Sequence, residues 1–162
     1  MTLTIDPSTG SGYRSVWAAQ AGASASTSAQ ASEGIRISGG DRPPWLRQVV
    51  TSLTAILSLE HNWDSYDAPG IEPRYVIAAL EHLLAIAGRE SPPPWTVPTV
   101  RRGVQFEWHL EGVDIELAVD DDGASVFVDD EDGDADGELA RRPDLVSRIV
   151  RHLTPSRATT LA

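Results

Sequence analysis

The chain has 162 residues, no cysteine and a formal net charge of −11 at pH 7. This length suffices for one domain with one hydrophobic core, and the lack of cysteine excludes disulfides, thiol nucleophiles and thiolate metal ligands. Because the N-terminus carries no basic patch before an apolar run, and no apolar run reaches roughly 18 residues, we expect a soluble, cytoplasmic protein.

The negative charge is concentrated in one segment. Residues 120–138 hold ten carboxylates and no basic residue, so the rest of the chain is close to neutral. All thirteen basic residues are Arg, a bias that indicates a GC-rich, bacterial genome. The arginines at 101–102 and 141–142 form isolated pairs instead of a basic stripe, so we expect no direct nucleic-acid binding.

Residues 1–40 are rich in Ser, Ala, Thr and Gly and offer little apolar surface. Burial of so few apolar groups does not offset the entropy of ordering the chain, so this segment is predicted to be a flexible, disordered tail. Trp17 in this tail is a candidate anchor for a partner, because Trp is enriched at binding hot spots.

Two amphipathic helices are predicted next. The first begins at Pro43-Pro44, which pre-sets helical geometry, and ends near Leu59 to His61. The second has Pro73 in its first turn and stops at Gly88. Apolar residues recur three and four positions apart in both segments, which gives each helix one apolar face.

The period of the apolar residues then changes from about 3.6 to about 2. Residues 104–110 and 113–119 alternate apolar and polar side chains on either side of Glu111-Gly112, which predicts an antiparallel hairpin with one buried face. Asp121-Asp122-Gly123 predicts a second turn, which leads into a strand at 124–128.

The predicted fold class is α+β: two N-terminal helices, a three- to four-stranded antiparallel meander with a short edge strand at 96–100, and a C-terminal helix. We expect one domain at 41–155, in which 129–138 form a mobile acidic loop, and a wet or partner-facing outer face of the sheet. The predicted core comprises Leu46, Val50, Leu53, Leu80, Leu84, Val104, Phe106, Trp108, Leu110, Ile115 and Leu117.

The segment Asn62–Gly70 between the predicted helices combines two aromatic rings with two carboxylates. Because loops have little to pack against, these side chains are candidate binding residues. They are Trp63, Asp64, Tyr66 and Asp67. The structural alternative is that Asp64 or Asn62 accepts hydrogen bonds from backbone N–H groups of the turn while the rings cover the edge of the core, and the chemistry of Asn and Asp in turns favours this alternative.

An enzyme is the alternative from another class. A small hydrolase or metal-dependent enzyme would use His61, Asp64, Glu107 and His109, which would have to converge in one cleft. The sequence contains no G-x-S-x-G elbow, no P-loop, no G-x-G-x-x-G and no H-E-x-x-H motif. We therefore predict no catalytic residue and no cofactor.

The acidic segment resembles the first half of a calcium-binding loop. Asp132, Asp134 and Asp136 occupy the first, third and fifth positions, and Gly137 the sixth. The twelfth position, which should be an acidic bidentate ligand, is Pro143. A solvated acidic loop is the favoured interpretation, and calcium binding and an electrostatic contact with a basic partner remain alternatives.

The segments Asn62-Trp63-Asp64-Ser65-Tyr66-Asp67-Ala68 and Gly103-Val104-Gln105-Phe106-Glu107-Trp108 resemble a family of small, uncharacterised bacterial proteins. In that family an NWD(G/S)-aromatic-x-A segment precedes a helix, and a GG(I/V)xxEW strand follows. The resemblance covers residues 41–128 and implies the same architecture, without an established activity. This chain departs from the pattern at Arg102, where Gly is more usual, and at Asp67, where a small residue is usual.

These observations predict a non-enzymatic protein-interaction module, an accessory or antitoxin/immunity-like subunit of a bacterial or mobile-element system. The expected partner is another protein, with no membrane and no direct nucleic-acid contact. A further alternative is an acidic inhibitor that mimics DNA, which would need carboxylates spread along an extended face.

Overall fold

The computed structural model of the chain describes residues 2–5, 35–38 and 42–155. The other residues, Trp17 among them, lie outside the described part of the chain. In chain order, the elements are β1 (Thr2–Ile5), β2 (Ile35–Ser38), α1 (Leu46–Leu57), α2 (Pro73–Ile86), β3 (Trp95–Pro98), β4 (Val104–Leu110), β5 (Val113–Asp120), β6 (Gly123–Asp130), β7 (Gly133–Glu138), a short 3₁₀ helix (Leu139–Arg141) and α3 (Pro143–Leu153).

Strands β3 to β7 form one antiparallel meander in which each strand pairs with the next. The predicted hairpin is confirmed, since Leu110 pairs with Val113 across the turn Glu111-Gly112. Gly112 has a φ of 71°, a left-handed conformation that glycine adopts without strain. The α+β class with an antiparallel sheet is therefore confirmed.

The predicted number of strands, three or four, is wrong, because the described residues form a sheet of five. The fifth strand is β7, which falls in the segment predicted to be an acidic loop. Its inward positions are Ala135 and Gly137, which pair with Val128 and Val126 of β6. Small inward residues and a high content of Asp and Gly hide the alternation that identified the other strands.

Helices α1 and α2 cover the inner face of the sheet. Pro73 is the first residue of α2, as predicted, and the C-cap Ala87 directly precedes Gly88, the predicted stop. Helix α1 ends at Leu57, two residues before the predicted end. Of the predicted core residues, Val50, Leu84 and Leu110 are partly buried against the core, and the others are buried. Burial extends to β6 and α3, through Val126, Val128, Leu145, Ile149 and Leu153.

Strands β1 and β2 pair with each other in an antiparallel two-stranded sheet. Both lie within the range predicted to be a tail, and most of that range lies outside the described residues. In the described part of the chain, no helix combines the length and apolar character needed to cross a lipid bilayer.

Candidate functional site

The loop that joins α1 to α2 has an unusual backbone. Asn62, Ser65 and Asp67 have φ values of 68°, 67° and 74°, so three residues other than glycine adopt the left-handed conformation within six positions. Asn and Asp tolerate this conformation better than other residues, whereas Ser does so at a cost. Such a conformation persists only where the surrounding contacts impose it.

Hydrogen bonds within the loop impose this backbone. The Asp64 carboxylate accepts bonds from the N–H groups of Tyr66 (2.8 Å) and Ala68 (3.0 Å). The Asn62 side chain accepts one from the N–H of Asp67 (2.9 Å), and the Asn62 N–H donates to the carbonyl of Ala68 (2.7 Å). The bonds from Tyr66 and Ala68 lower the pKa of Asp64 and keep it ionised. Asp64 and Asn62 therefore serve the turn, as the structural alternative supposed.

The two aromatic residues of the loop have different environments. Trp63 is half-buried, and its indole N–H donates to the carbonyl of Pro69 at 3.1 Å. Tyr66 is 89% exposed. Trp63 therefore stabilises the loop, whereas Tyr66 is exposed to solvent on a backbone that is ordered by hydrogen bonds.

The base of the loop is fixed to the rest of the fold at two points. Gly70 passes so close to Leu59 that a Cβ atom would lie 3.2 Å from the Leu59 carbonyl oxygen. The N–H of Glu72, just before α2, donates to the carbonyl of Arg102 in the β3–β4 turn at 2.8 Å. The loop is thus connected to the end of the sheet and to the end of α1.

The polar residues of the proposed enzyme alternative lie in two separate places. Nε2 of His61 lies 3.2 Å from the carboxylate of Asp67, in the loop, and both side chains are exposed. His109 lies on the outer face of the sheet, where its ring contacts Asp114 (2.7 Å) and Glu107 (3.4 Å). The hydrogen bond with Asp114 raises the pKa of His109, and Glu107 adds to the effect.

The acidic segment is divided between a buried ion cluster and exposed positions. The Asp130 side chain is 0% exposed and contacts Arg148, His152 (2.7 Å) and Arg151 (3.4 Å), all on α3. The bond from Arg148 is the main reason that the pKa of Asp130 lies far below its usual range. This cluster was not predicted from the sequence, although Arg148 and His152 are spaced four residues apart on a predicted helix.

The three aspartates of the calcium alternative do not form a group in the structure. The carboxylate of Asp132 lies 3.2 Å from the guanidinium of Arg151, whereas Asp134 and Asp136 are exposed residues of β7. In the described residues, no set of three or more His, Asp or Glu side chains is arranged to hold a metal ion.

A comparison of the chain with protein-family models, with curated proteins and with solved structures found no significant match. The resemblance to the small bacterial family therefore stays a prediction. At both positions where this chain departs from that pattern, Asp67 and Arg102, the backbone is left-handed, with φ values of 74° and 68°. Glycine is the residue that adopts this conformation most readily, which is a physical reason for small residues in the pattern.

Proposed function

We propose that this protein is a non-enzymatic protein-interaction module, an accessory or antitoxin/immunity-like subunit, and that the loop Asn62–Gly70 contacts its partner. The observation that carries the proposal is Tyr66, 89% exposed at the tip of a loop whose backbone is fixed. Tyrosine is among the residues that dominate binding energy at protein interfaces. Because the loop is already ordered, little conformational entropy is lost when it binds.

The enzyme alternative receives less support from the geometry. His61 and Asp64 belong to the segment that joins α1 to α2, and the Asp64 carboxylate accepts hydrogen bonds from backbone N–H groups. Glu107 and His109 lie on β4 and project from the outer face of the sheet. A hydrolytic site needs its acid, base and nucleophile within hydrogen-bond reach of one substrate. In the described residues, His61 contacts Asp67, and His109 contacts Asp114 and Glu107, and no ion pair joins the two groups.

One specific observation favours the DNA-mimic alternative. Strands β6 and β7 carry the acidic segment into the sheet, so its carboxylates are spread over strands instead of being gathered in one loop. A charge pattern of that kind suits a partner with a basic surface.

The proposal is tested by site-specific photo-crosslinking in the native host. A photoreactive phenylalanine analogue at Tyr66 should crosslink to one partner protein, and the same analogue at Val150, an exposed apolar residue of α3, should not. The partner should then capture the untreated protein in the reverse experiment. Equal crosslinking from both positions, or none from Tyr66, would contradict the role of the loop.

A further inference from the structure

The outer face of the sheet carries an accumulation of negative charge from four strands. In the described part of the chain, the three helices pack against the inner face, and the outer residues of β4 to β7 are exposed or half-exposed. We call the following outer carboxylates the acidic face: Glu107, Asp114, Glu116, Asp129, Asp134, Asp136 and Glu138. Among the residues of β3 to β7, His109 is the one side chain that can carry positive charge.

The strand register places like charges directly opposite each other. Glu107 pairs with Glu116, and Asp129 pairs with both Asp114 and Asp134. Directly opposed like charges destabilise an antiparallel sheet. Burial and the neighbouring Glu107 both raise the pKa of Glu116, as expected for a carboxylate among other carboxylates. His109 contacts Glu107 and Asp114, and Arg141 lies 3.1 Å from Glu138, so the repulsion that a cationic partner would relieve is centred on the other carboxylates of the face.

The acidic face also contains a depression that is lined in part by an aromatic ring. It has a volume of about 190 Å³ and lies between β4 and β7. Its lining includes Gln105, Glu116, Ser125, Phe127 and Asp136. Phe127 is half-exposed and stands in register between Glu116 and Asp136. A carboxylate on each side of an aromatic ring is a suitable environment for a guanidinium or ammonium group, which interacts with both.

We propose that the acidic face docks a basic protein and that an arginine or lysine side chain of this partner enters the depression at Phe127. The inference rests on the proposed interaction function and adds to it a second surface and the chemistry of the partner. A phosphate-rich partner is disfavoured here, because it would meet like charge across the whole face. Trp95 of β3, 69% exposed and in register with Glu107, extends the same row of side chains with another aromatic surface.

The test uses the full chain and a fluorescent peptide of nine arginines, with binding measured by anisotropy at ~0.15 M salt. The variant Glu116→Gln/Asp136→Asn should weaken binding about tenfold, because it removes both carboxylates beside the ring. The control Glu111→Gln/Glu131→Gln removes the same charge from two exposed turn residues and should change the affinity less than about twofold. Phe127→Leu, which keeps an apolar side chain in the sheet, should also weaken binding.

Equal weakening by the two double variants would show that affinity follows net charge alone and would overturn the inference, as would the absence of binding by the unaltered protein. Circular dichroism and thermal melting of each variant establish that the sheet is intact. The two proposals fail separately. If the partner that crosslinks to position 66 still binds Glu116→Gln/Asp136→Asn with unchanged affinity, the loop proposal stands and the acidic-face inference is wrong.

Discussion

At the scale of single residues, Trp63 and Tyr66 show how two aromatic side chains in one loop divide structural and exposed roles. Trp63 donates a hydrogen bond to Pro69 and is half-buried, whereas Tyr66 is almost fully exposed. From the sequence, both rings were candidate binding residues, because they lie in the same short segment among the same kinds of polar residue. Only the path of the backbone decides which ring faces the protein.

This division predicts that the two residues contribute unequally to stability. Trp63→Ala should lower the free energy of unfolding by about 1–3 kcal/mol, because it removes a half-buried ring and a hydrogen bond. Tyr66→Ala should change it by less than about 0.5 kcal/mol, as is usual for exposed side chains. Urea denaturation of the two variants measures both values, and a comparable loss from Tyr66→Ala would contradict the assignment.

Arg102 occupies a left-handed backbone position in the β3–β4 turn, with a φ of 68°, and its side chain lies 3.3 Å from Glu72. Replacement by either Gly or Ala removes the ion pair. The difference in the free energy of unfolding between the two variants therefore reflects the backbone conformation at this position. Arg102→Gly should be more stable than Arg102→Ala by about 1 kcal/mol, since the left-handed conformation costs residues with a Cβ atom about 1–2 kcal/mol. Equal melting temperatures would contradict the strained conformation.

At the scale of elements, the attachment of α3 to the sheet combines a buried carboxylate with apolar packing. Asp130 ends β6 with its side chain on the inner face, where Arg148 and His152 of α3 meet it. Removal of one member from a buried ion cluster leaves the others without their partner. The helix also contributes Leu145, Ile149 and Leu153 to the core.

The lowered pKa of Asp130 predicts a loss of stability in acid. The stabilisation is complete above the pKa of an unfolded aspartate, about 3.9, and is lost as the pH falls below that value towards the pKa of the folded state. Asp130→Asn should be less stable than the unaltered protein at pH 7 and should lose less stability between about pH 4 and pH 2. Denaturation at several pH values measures this, with Glu131→Gln, an exposed residue of the β6–β7 turn, as the control. Parallel pH profiles for the two variants would contradict the role of Asp130.

The extended structure of β7 argues against the calcium alternative. Asp132 is engaged by Arg151, and Asp134 and Asp136 are strand residues, so the three do not surround one point as a calcium loop requires. Millimolar calcium should therefore leave the melting temperature unchanged. A rise of the melting temperature with calcium concentration, absent in Asp134→Asn, would show that the segment binds the ion after all.

At the scale of the whole molecule, the fold was predictable wherever burial imposes a period on the sequence. The stripes of α1 and α2 and the alternation in β4 and β5 each identify one buried face, which is why Phe106, Trp108 and Leu117 were assigned to the core correctly. Strand β7 was missed because Ala135 and Gly137, its inward residues, bury too little apolar surface to mark a period.

The position of the candidate site and the hydrogen bonds of its turn were predictable, whereas the contacts between distant parts of the chain were not. The density of Asn, Asp and aromatic residues identified the loop, and turn chemistry correctly favoured hydrogen bonds from the backbone to Asp64. The ion cluster of Asp130 and the pairing of like charges on the acidic face depend on which strands are neighbours. Only the strand register places residue 107 opposite residue 116, and residue 129 opposite residue 134.

The central claim is that Tyr66 is a contact residue for a protein partner. The most direct measurement is the affinity of the crosslinked partner, once purified, for the unaltered protein, Tyr66→Phe and Tyr66→Ala by calorimetry. The proposal predicts that Tyr66→Ala binds at least about tenfold more weakly while Tyr66→Phe, which keeps the ring, stays within about threefold of the unaltered protein. Unchanged affinity for Tyr66→Ala would contradict the claim.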